Sequence, residues 1–381
     1  MHSFYRFFAE ATGNVHISHV EDEILVNGLA GAETALSYLH SLIQPEKGKN
    51  VLRIKVDGSP AIIFGVDKVS GKFFVATKSL FNSKTPKINF SDEDIQKNHG
   101  TKPDLAKKLS VALKYLPEII QSGIVQGDFL YDKSDLRTFK YYGRDFVGFN
   151  PNTILYGIIN PSPLAIQIKE AQIGISVHTS YEGDTISSMI AHVGGKLNLK
   201  KSENVFVLPT KFNDDEAFPD SEKINALLEN AKKILQQIPS DESFLTPQIR
   251  DLLMKFRNEL VRAGKVNVDD IQMYEELKDY VRLEVFDKKK KDAEAFISNE
   301  QENLMNTFRF IIAINEAKLL IIKHLNERLQ TKAIKTFVVK NGKIEPTDNE
   351  GFVLSNDKAG ETLKLVDRNV YSKNNFEHND E

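Results

Sequence analysis

A β-rich texture runs from Val51 to about Tyr181, gives way from about Asp220 to helical periodicity, and returns after Thr336. The early runs are short and rich in β-branched and aromatic residues: Val51-Leu52-Arg53-Ile54, Ala61-Ile62-Ile63-Phe64, Phe73-Phe74-Val75-Ala76-Thr77 and Thr153-Ile154-Leu155-Tyr156. Gly71-Lys72 makes a turn between two of them, and Leu105 to Ile120 supplies one helix, so the pattern predicts an α+β unit with antiparallel pairing. The helical block opens with Ile224, Leu227, Leu228, Ala231, Ile234, Leu235 and Ile238, and Pro239 closes that helix. Thr246-Pro247 starts the next, which Gly264 stops. Further helices are expected over Val268–Val285 and Asp292–Leu329. The late strands, Phe337-Val338-Val339, Gly351–Leu354 and Thr362–Val366 with a turn at Asn341-Gly342, are expected to rejoin the first sheet, which makes the helical block an insertion.

The expected organisation is therefore a helical lead-in over 1–48, a core over 49–180, a mostly helical insertion over 181–332, the last core strands over 333–372 and an acidic tail over 373–381. Phe4, Phe7 and Phe8 make one helical face of the lead-in, and Ala32, Ala35, Leu36, Leu39 and Leu42 another. No apolar stretch is long enough to span a bilayer, and Met1-His2-Ser3-Phe4-Tyr5-Arg6 lacks the apolar run of a secretory signal, so a cytoplasmic location is expected. Zero cysteines exclude disulfides, thiolate metal sites and thiol catalysis. The net charge of -3 means that a polyanion must meet a local basic patch. The run Lys288–Lys291 reads as a solvated linker, and His16 and His19, one helical turn apart, have no matching pair to complete a metal site.

Lys55-Val56-Asp57-Gly58 lies between two strand-like runs, and Glu350-Gly351-Phe352-Val353 lies far downstream, followed by Leu363-Lys364-Leu365-Val366. A lysine amine costs about 4.6 kcal/mol to deprotonate at pH 7, so a nucleophilic Lys55 needs neighbours that lower its pKa. Lys78, Lys364 and a bound Mg²⁺ would each do so, and the same cations neutralise a triphosphate. Asp57, Asp128 and Glu350 are the candidate oxygen ligands for metal and acceptors for ribose hydroxyls. Gly58 lets the backbone turn tightly and approach a nucleotide.

These residues resemble the covalent nucleotidyltransferases, the family of ATP-dependent DNA ligases, RNA ligases and mRNA capping enzymes. Lys55-Val56-Asp57-Gly58 is similar to the family's motif I, Thr77-Lys78-Ser79 to motif Ia and Gln126-Gly127-Asp128-Phe129 to motif III. Ile154-Leu155-Tyr156-Gly157 looks like motif IIIa, Glu350–Val353 like motif IV and Leu363–Val366 like motif V. The resemblance covers about residues 49 to 160 and 336 to 370, and the whole chain also looks like an uncharacterised family of tailed-phage proteins. It implies a ligase-type core of antiparallel sheets with helices. Lys55 would become nucleotidylated, Lys78 and Lys364 would grip phosphate, and Glu350 and Asp128 would hold Mg²⁺. Asp57, Gly58 and Asp128 would contact the nucleotide, and Tyr156 would stack on the base, a place Phe149 could also fill.

The chain departs from that pattern at three points. Asp128 stands where the family usually has glutamate, which shortens its reach by one methylene. Val366 stands at the second motif V lysine, and Arg368, two residues on, is displaced by roughly 6.6 Å on an ideal strand. The few residues after Lys364 are too short for the oligonucleotide-binding barrel of many relatives, so none is expected. The expected function is an ATP-dependent polynucleotide ligase, RNA-ligase-like, with the helical insertion as the segment that holds RNA or DNA 5′-phosphate ends. A non-catalytic phage accessory or structural protein with a nucleotide-binding fold, and a GTP-dependent capping-type enzyme, remain open.

Overall fold

The computed structural model of the chain describes residues 17–43, 51–82, 84–194, 197–212, 218–241, 243–265, 267–284, 287–329, 334–340, 342–355 and 362–368. They form a mixed α+β protein whose strands make three sheets. The six-stranded sheet orders its strands Ile190–Val193, Ile173–Glu182, Ile124–Asp132, Ala61–Val66 and Phe73–Ala76, and Val205–Val207 joins Ile173–Glu182 in parallel. Ala61–Val66 and Phe73–Ala76 pair antiparallel across the turn at Gly71. One face of this sheet buries Ile62, Phe64 and Val75 against Ala106, Leu109 and Ala112 of the helix Pro103–Tyr115. That helix stops short of the expected Ile120, because Pro117 sits in a separate 3-10 turn, Leu116–Glu118. The helix Asp92–His99, capped by Ser91, was not anticipated: only Ile95 and His99 along it are buried, too few for a periodic stripe.

The late strands pair with early ones, but they divide between two sheets. Ile334–Lys340 pairs antiparallel with Leu155–Ile159 in a five-stranded sheet completed by Lys343–Pro346, Arg144–Phe149 and Arg137–Tyr141. Phe352–Ser355 lies between Thr362–Leu365 and Val51–Ile54 in a four-stranded sheet, with Ser18–His19 at its edge. Side chains alternate along a strand. Leu52, Phe352, Leu354, Leu363 and Leu365 therefore share one face, and the paired positions Arg53, Val353 and Lys364 share the other with Lys55 one pleat further on.

The apolar face is buried against the helices. Ser221–Leu235, Pro247–Arg262, Asp270–Glu284 and Gln301–Leu329 join the helix Glu23–Ile43, which is interrupted at Gly28, in a single core with the sheet leucines. Each fully buried Leu or Phe contributes roughly 1.5–3 kcal/mol, so the helical block is an integral wall of this sheet. The same core absorbs Ala32, Ala35, Leu36 and Leu39, so this part of the N-terminal lead-in packs with the later helices. Two expectations about the block need correction. The helix expected over Asp292–Leu329 is two, Asp287–Asn299 and Gln301–Leu329, because Glu300 ends one and its carboxylate accepts from Asn303 Nδ2 (2.6 Å) in the first turn of the next. Lys288–Lys291, read as a linker, belongs to the first of them. Phe4, Phe7, Phe8, His16, Asn341 and the tail 373–381 lie outside the described residues. Among the described residues no helix is long and apolar enough to cross a membrane.

Candidate functional site

The polar face of the four-stranded sheet carries the candidate site. Lys55 continues the strand Val51–Ile54, and its N–H donates to Gly351 O at 2.9 Å, so the early and late segments lie side by side where they bear Lys55 and Glu350. Lys55 Nζ donates to Glu350 Oε2 at 3.1 Å and to Asp57 Oδ2. Glu350 Oε2 also accepts from the Asp57 N–H at 3.0 Å, which clamps the loop after Lys55 onto the late segment. Gly351, with φ 139°, occupies a conformation that favours glycine, and a Cβ there would lie 2.4 Å from Leu365 O.

Asn152 completes the cluster and was missed in the sequence. Its Oδ1 accepts from the Ile154 N–H at 2.9 Å, a local Asx turn, which aims Nδ2 at Glu350 Oε1 (2.9 Å) and Asp57 O (3.0 Å). Both carboxylate oxygens of Glu350 are thus engaged. Burial raises the Glu350 carboxyl above its ordinary value, although Lys55 opposes this.

Lys55 itself corrects an expectation. Burial pulls its amine down, but Asp57 and Glu350 outweigh burial and hold it above the ordinary lysine value. The depression expected there falls instead on Lys364, lowered first by burial and then by the charge of Lys55, with Lys78 and Arg368 adding. Lys364 lies on the same sheet face, opposite Val353, which in turn pairs with Arg53. Lys78 is exposed and opens a 3-10 turn, Lys78–Phe81, started by Thr77 Oγ1 accepting from Ser79 N at 3.3 Å.

Gly58 serves a close approach. A Cβ at this position would lie 2.2 Å from Phe129 O and 3.1 Å from Asp128 Cβ, so the loop after Lys55 rests directly on the strand that bears Asp128. Asp128 faces His178, whose Nε2 is 3.7 Å from Asp128 Oδ2. The register shifts opposite His178, from Gln126↔Thr179 to Gly127↔Val177, and this bulge sets the imidazole beside the carboxylate. His178 Nδ1 pairs with Thr179 Oγ1 at 2.7 Å. The sequence alone does not show this meeting of His178 and Asp128, because the bulge depends on strand pairing.

Four other residues are placed elsewhere. Tyr156 is 1% exposed, its ring stacked on Phe149 at 5.6 Å, in a core with Val56 and Ile158. Phe149 is fully buried in the same core. Val366 is buried, and Arg368 does not stand in for the missing cation: it is tied to Asp22 and to Asn258 Oδ1 (3.0 Å) in a separate buried network.

Among the described residues no group of three or more His, Asp or Glu is disposed to hold a metal ion. Mg²⁺ commonly takes one or two carboxylates and completes its shell with phosphate and water. The carboxylates around the loop after Lys55 are Glu350 and Asp57, with Asp128 across Gly58.

No curated protein and no solved structure matches the chain. One family model does match, over residues 14–380, and it is described as a family of unknown function. The chain belongs to that family, DUF6267.

Proposed function

We propose that this protein is an ATP-dependent polynucleotide ligase of the RNA-ligase type, with Lys55 as the residue that takes AMP. The observation that carries the reading is the meeting of Lys55 and Glu350, 295 residues apart, in one hydrogen-bonded cluster with Asp57 and beside Lys364. In the proposed first step the Lys55 proton passes to Asp57, its hydrogen-bond partner. The freed Nζ lone pair forms a bond to the α-phosphorus of ATP while the bond from that phosphorus to the bridging oxygen breaks, and pyrophosphate leaves. AMP then passes to a 5′-phosphate end, and a 3′-hydroxyl displaces it to seal the strand. Lys364 and Lys78 supply positive charge to the phosphates, and Asp128, with His178 Nε2 at 3.7 Å, is the acceptor for ribose hydroxyls. Mg²⁺, with Glu350 and Asp128 as its protein ligands, would balance the charge of the triphosphate. Label from α-labelled ATP and Mg²⁺ should attach to the protein, and Lys55→Ala should abolish it; a variant that still labels removes Lys55 from the role.

A second reading has its own observation. Asp57 and Glu350 hold the Lys55 amine protonated, the state that binds phosphate but does not attack it. This favours a protein that retains a nucleotide without turnover, as an accessory or structural component. Protection against unfolding by nucleotide, with no covalent label, is the outcome that selects it.

A further inference from the structure

Behind the strand segment that carries Lys55 lies a cavity of about 420 Å³. Lys55 and Asp57 point into the Glu350 cluster, whereas Ile54 and Val56 line the cavity, so the two lie on opposite faces of one extended segment. Leu208 and the Tyr156 ring extend the apolar wall.

Two carboxamides interrupt it. Asn326 and Asn349 both line the cavity, each is 5% exposed, and the Oδ1 of each is buried with no hydrogen-bond partner among the described residues. Asn349 Nδ2 donates to Gly351 O at 2.8 Å, which leaves Oδ1 as its spare acceptor. Buried acceptors in native proteins are nearly always satisfied, and each exception calls for a cause. Two acceptors on one cavity have a common cause if a ligand brings the donors.

Charge and backbone point the same way. Arg144 and Lys335 also line the cavity, close enough that burial and then Arg144 push the Lys335 amine below its ordinary value. Asp348 lines the same cavity, so the wall presents two cations and one carboxylate, and the two neighbouring cations favour an anion between them. Tyr142, at the exposed edge, is 89% exposed and holds a left-handed backbone with φ 44°, where a residue other than glycine is strained. Its ring lies 4.6 Å from that of Tyr141, edge to face, with its outer surface in solvent.

We propose that this cavity is a second ligand site, for a nucleobase joined to a phosphate group. Ring or exocyclic N–H groups donate to Asn326 and Asn349, the phosphate lies against Arg144 and Lys335, and Tyr142 offers a stacking surface at the entrance. The inference goes beyond the ligase reading and stands without it, because it uses no side chain of the Lys55 cluster. The chemistry is shared by a free mononucleotide and by a residue of a single strand.

Fluorescence titration separates these sources. In a Lys55→Ala background, which removes covalent capture, the protein is titrated with 2-aminopurine ribonucleoside 5′-monophosphate and with a single-stranded oligonucleotide carrying one 2-aminopurine. Saturable quenching by at least one probe is expected, weakened about tenfold or more by Lys335→Glu and by Asn326→Leu. Asn326→Leu should leave the thermal midpoint unchanged or raised, because it removes a buried unsatisfied acceptor; a purely structural asparagine would lower it. Binding of the oligonucleotide alone assigns the site to a strand, and equal binding of the monophosphate assigns it to a free nucleotide. No saturable binding below about 1 mM, as for a cavity that holds only water, overturns the proposal, and so does binding indifferent to both cavity variants. Either failure leaves covalent labelling of Lys55 untouched, so the two readings fail separately.

Discussion

Glu21 and Asp22 in one place, and Glu350 with Asp57 in another, pair with cations, those of the first group and that of Glu350 drawn from distant parts of the chain, but the two groups are enclosed to different degrees. Lys318 Nζ lies 2.8 Å from Glu21 Oε1 with both side chains fully buried, and Asp22 holds Arg368 and Arg257, all at 4% exposure or less. In the candidate site Lys55 is 17% exposed, Glu350 9% and Asp57 45%. The first group joins the N-terminal segment, two helices of the block and the last described residue, so its charges are committed to the fold. The second opens to solvent at Asp57. The two meet along one strand, since His19, beside Glu21, pairs in the sheet with Lys364.

Breaking the enclosed pair gives the largest expected effect. Lys318→Met strands a buried carboxylate and should cost about 3–5 kcal/mol in urea unfolding, while adding Glu21→Met should recover most of it. A near-neutral single variant would erase the contrast between the clusters.

Acid gives the next effect, on the order of a few kcal/mol. Burial takes His19 down to about 3 against the pull of Glu21, and Lys318 holds Glu21 down to about 2 although burial opposes it. Each group binds fewer protons in the folded chain than in the unfolded one. Stability should therefore fall with pH from about 6.5 through 3 for His19, and from about 4.5 through 2 for Glu21. Urea midpoints at descending pH measure this, and His19→Gln should flatten the upper part of the profile alone.

Lys55→Met should change stability least, within about 1 kcal/mol, because Glu350 can take up a proton and Lys364 loses a cationic neighbour. A loss as large as that of Lys318→Met would class the site with the structural charges.

Lys55, Asp57 and Glu350 stood out in the sequence by their motif resemblance, each just after a β-rich run or before a glycine, and the structure brings the three together. The mixed α+β class was legible from the short runs rich in β-branched and aromatic residues set against the helical stripes. Asn152 and His178 were not, since an Asx turn aims one across the chain to Glu350 and a bulge set by a partner strand aims the other. Lys318 and Arg257 were hidden for another reason: a charged residue beside an apolar stripe reads as solvated, and only the carboxylates of Glu21 and Asp22 explain their burial. Tyr156 was read as a ring for a base, but an apolar strand in the middle of a sheet buries its aromatic residues as readily as it displays them.

The proposed function rests on transfer of a nucleotide from its triphosphate to Lys55. Intact-mass measurement after incubation with Mg²⁺ and each nucleoside triphosphate in turn tests it directly. A mass increase of one nucleoside monophosphate with ATP, absent in Lys55→Ala, is the predicted result. An unchanged mass with all four nucleotides, from folded protein, would contradict it.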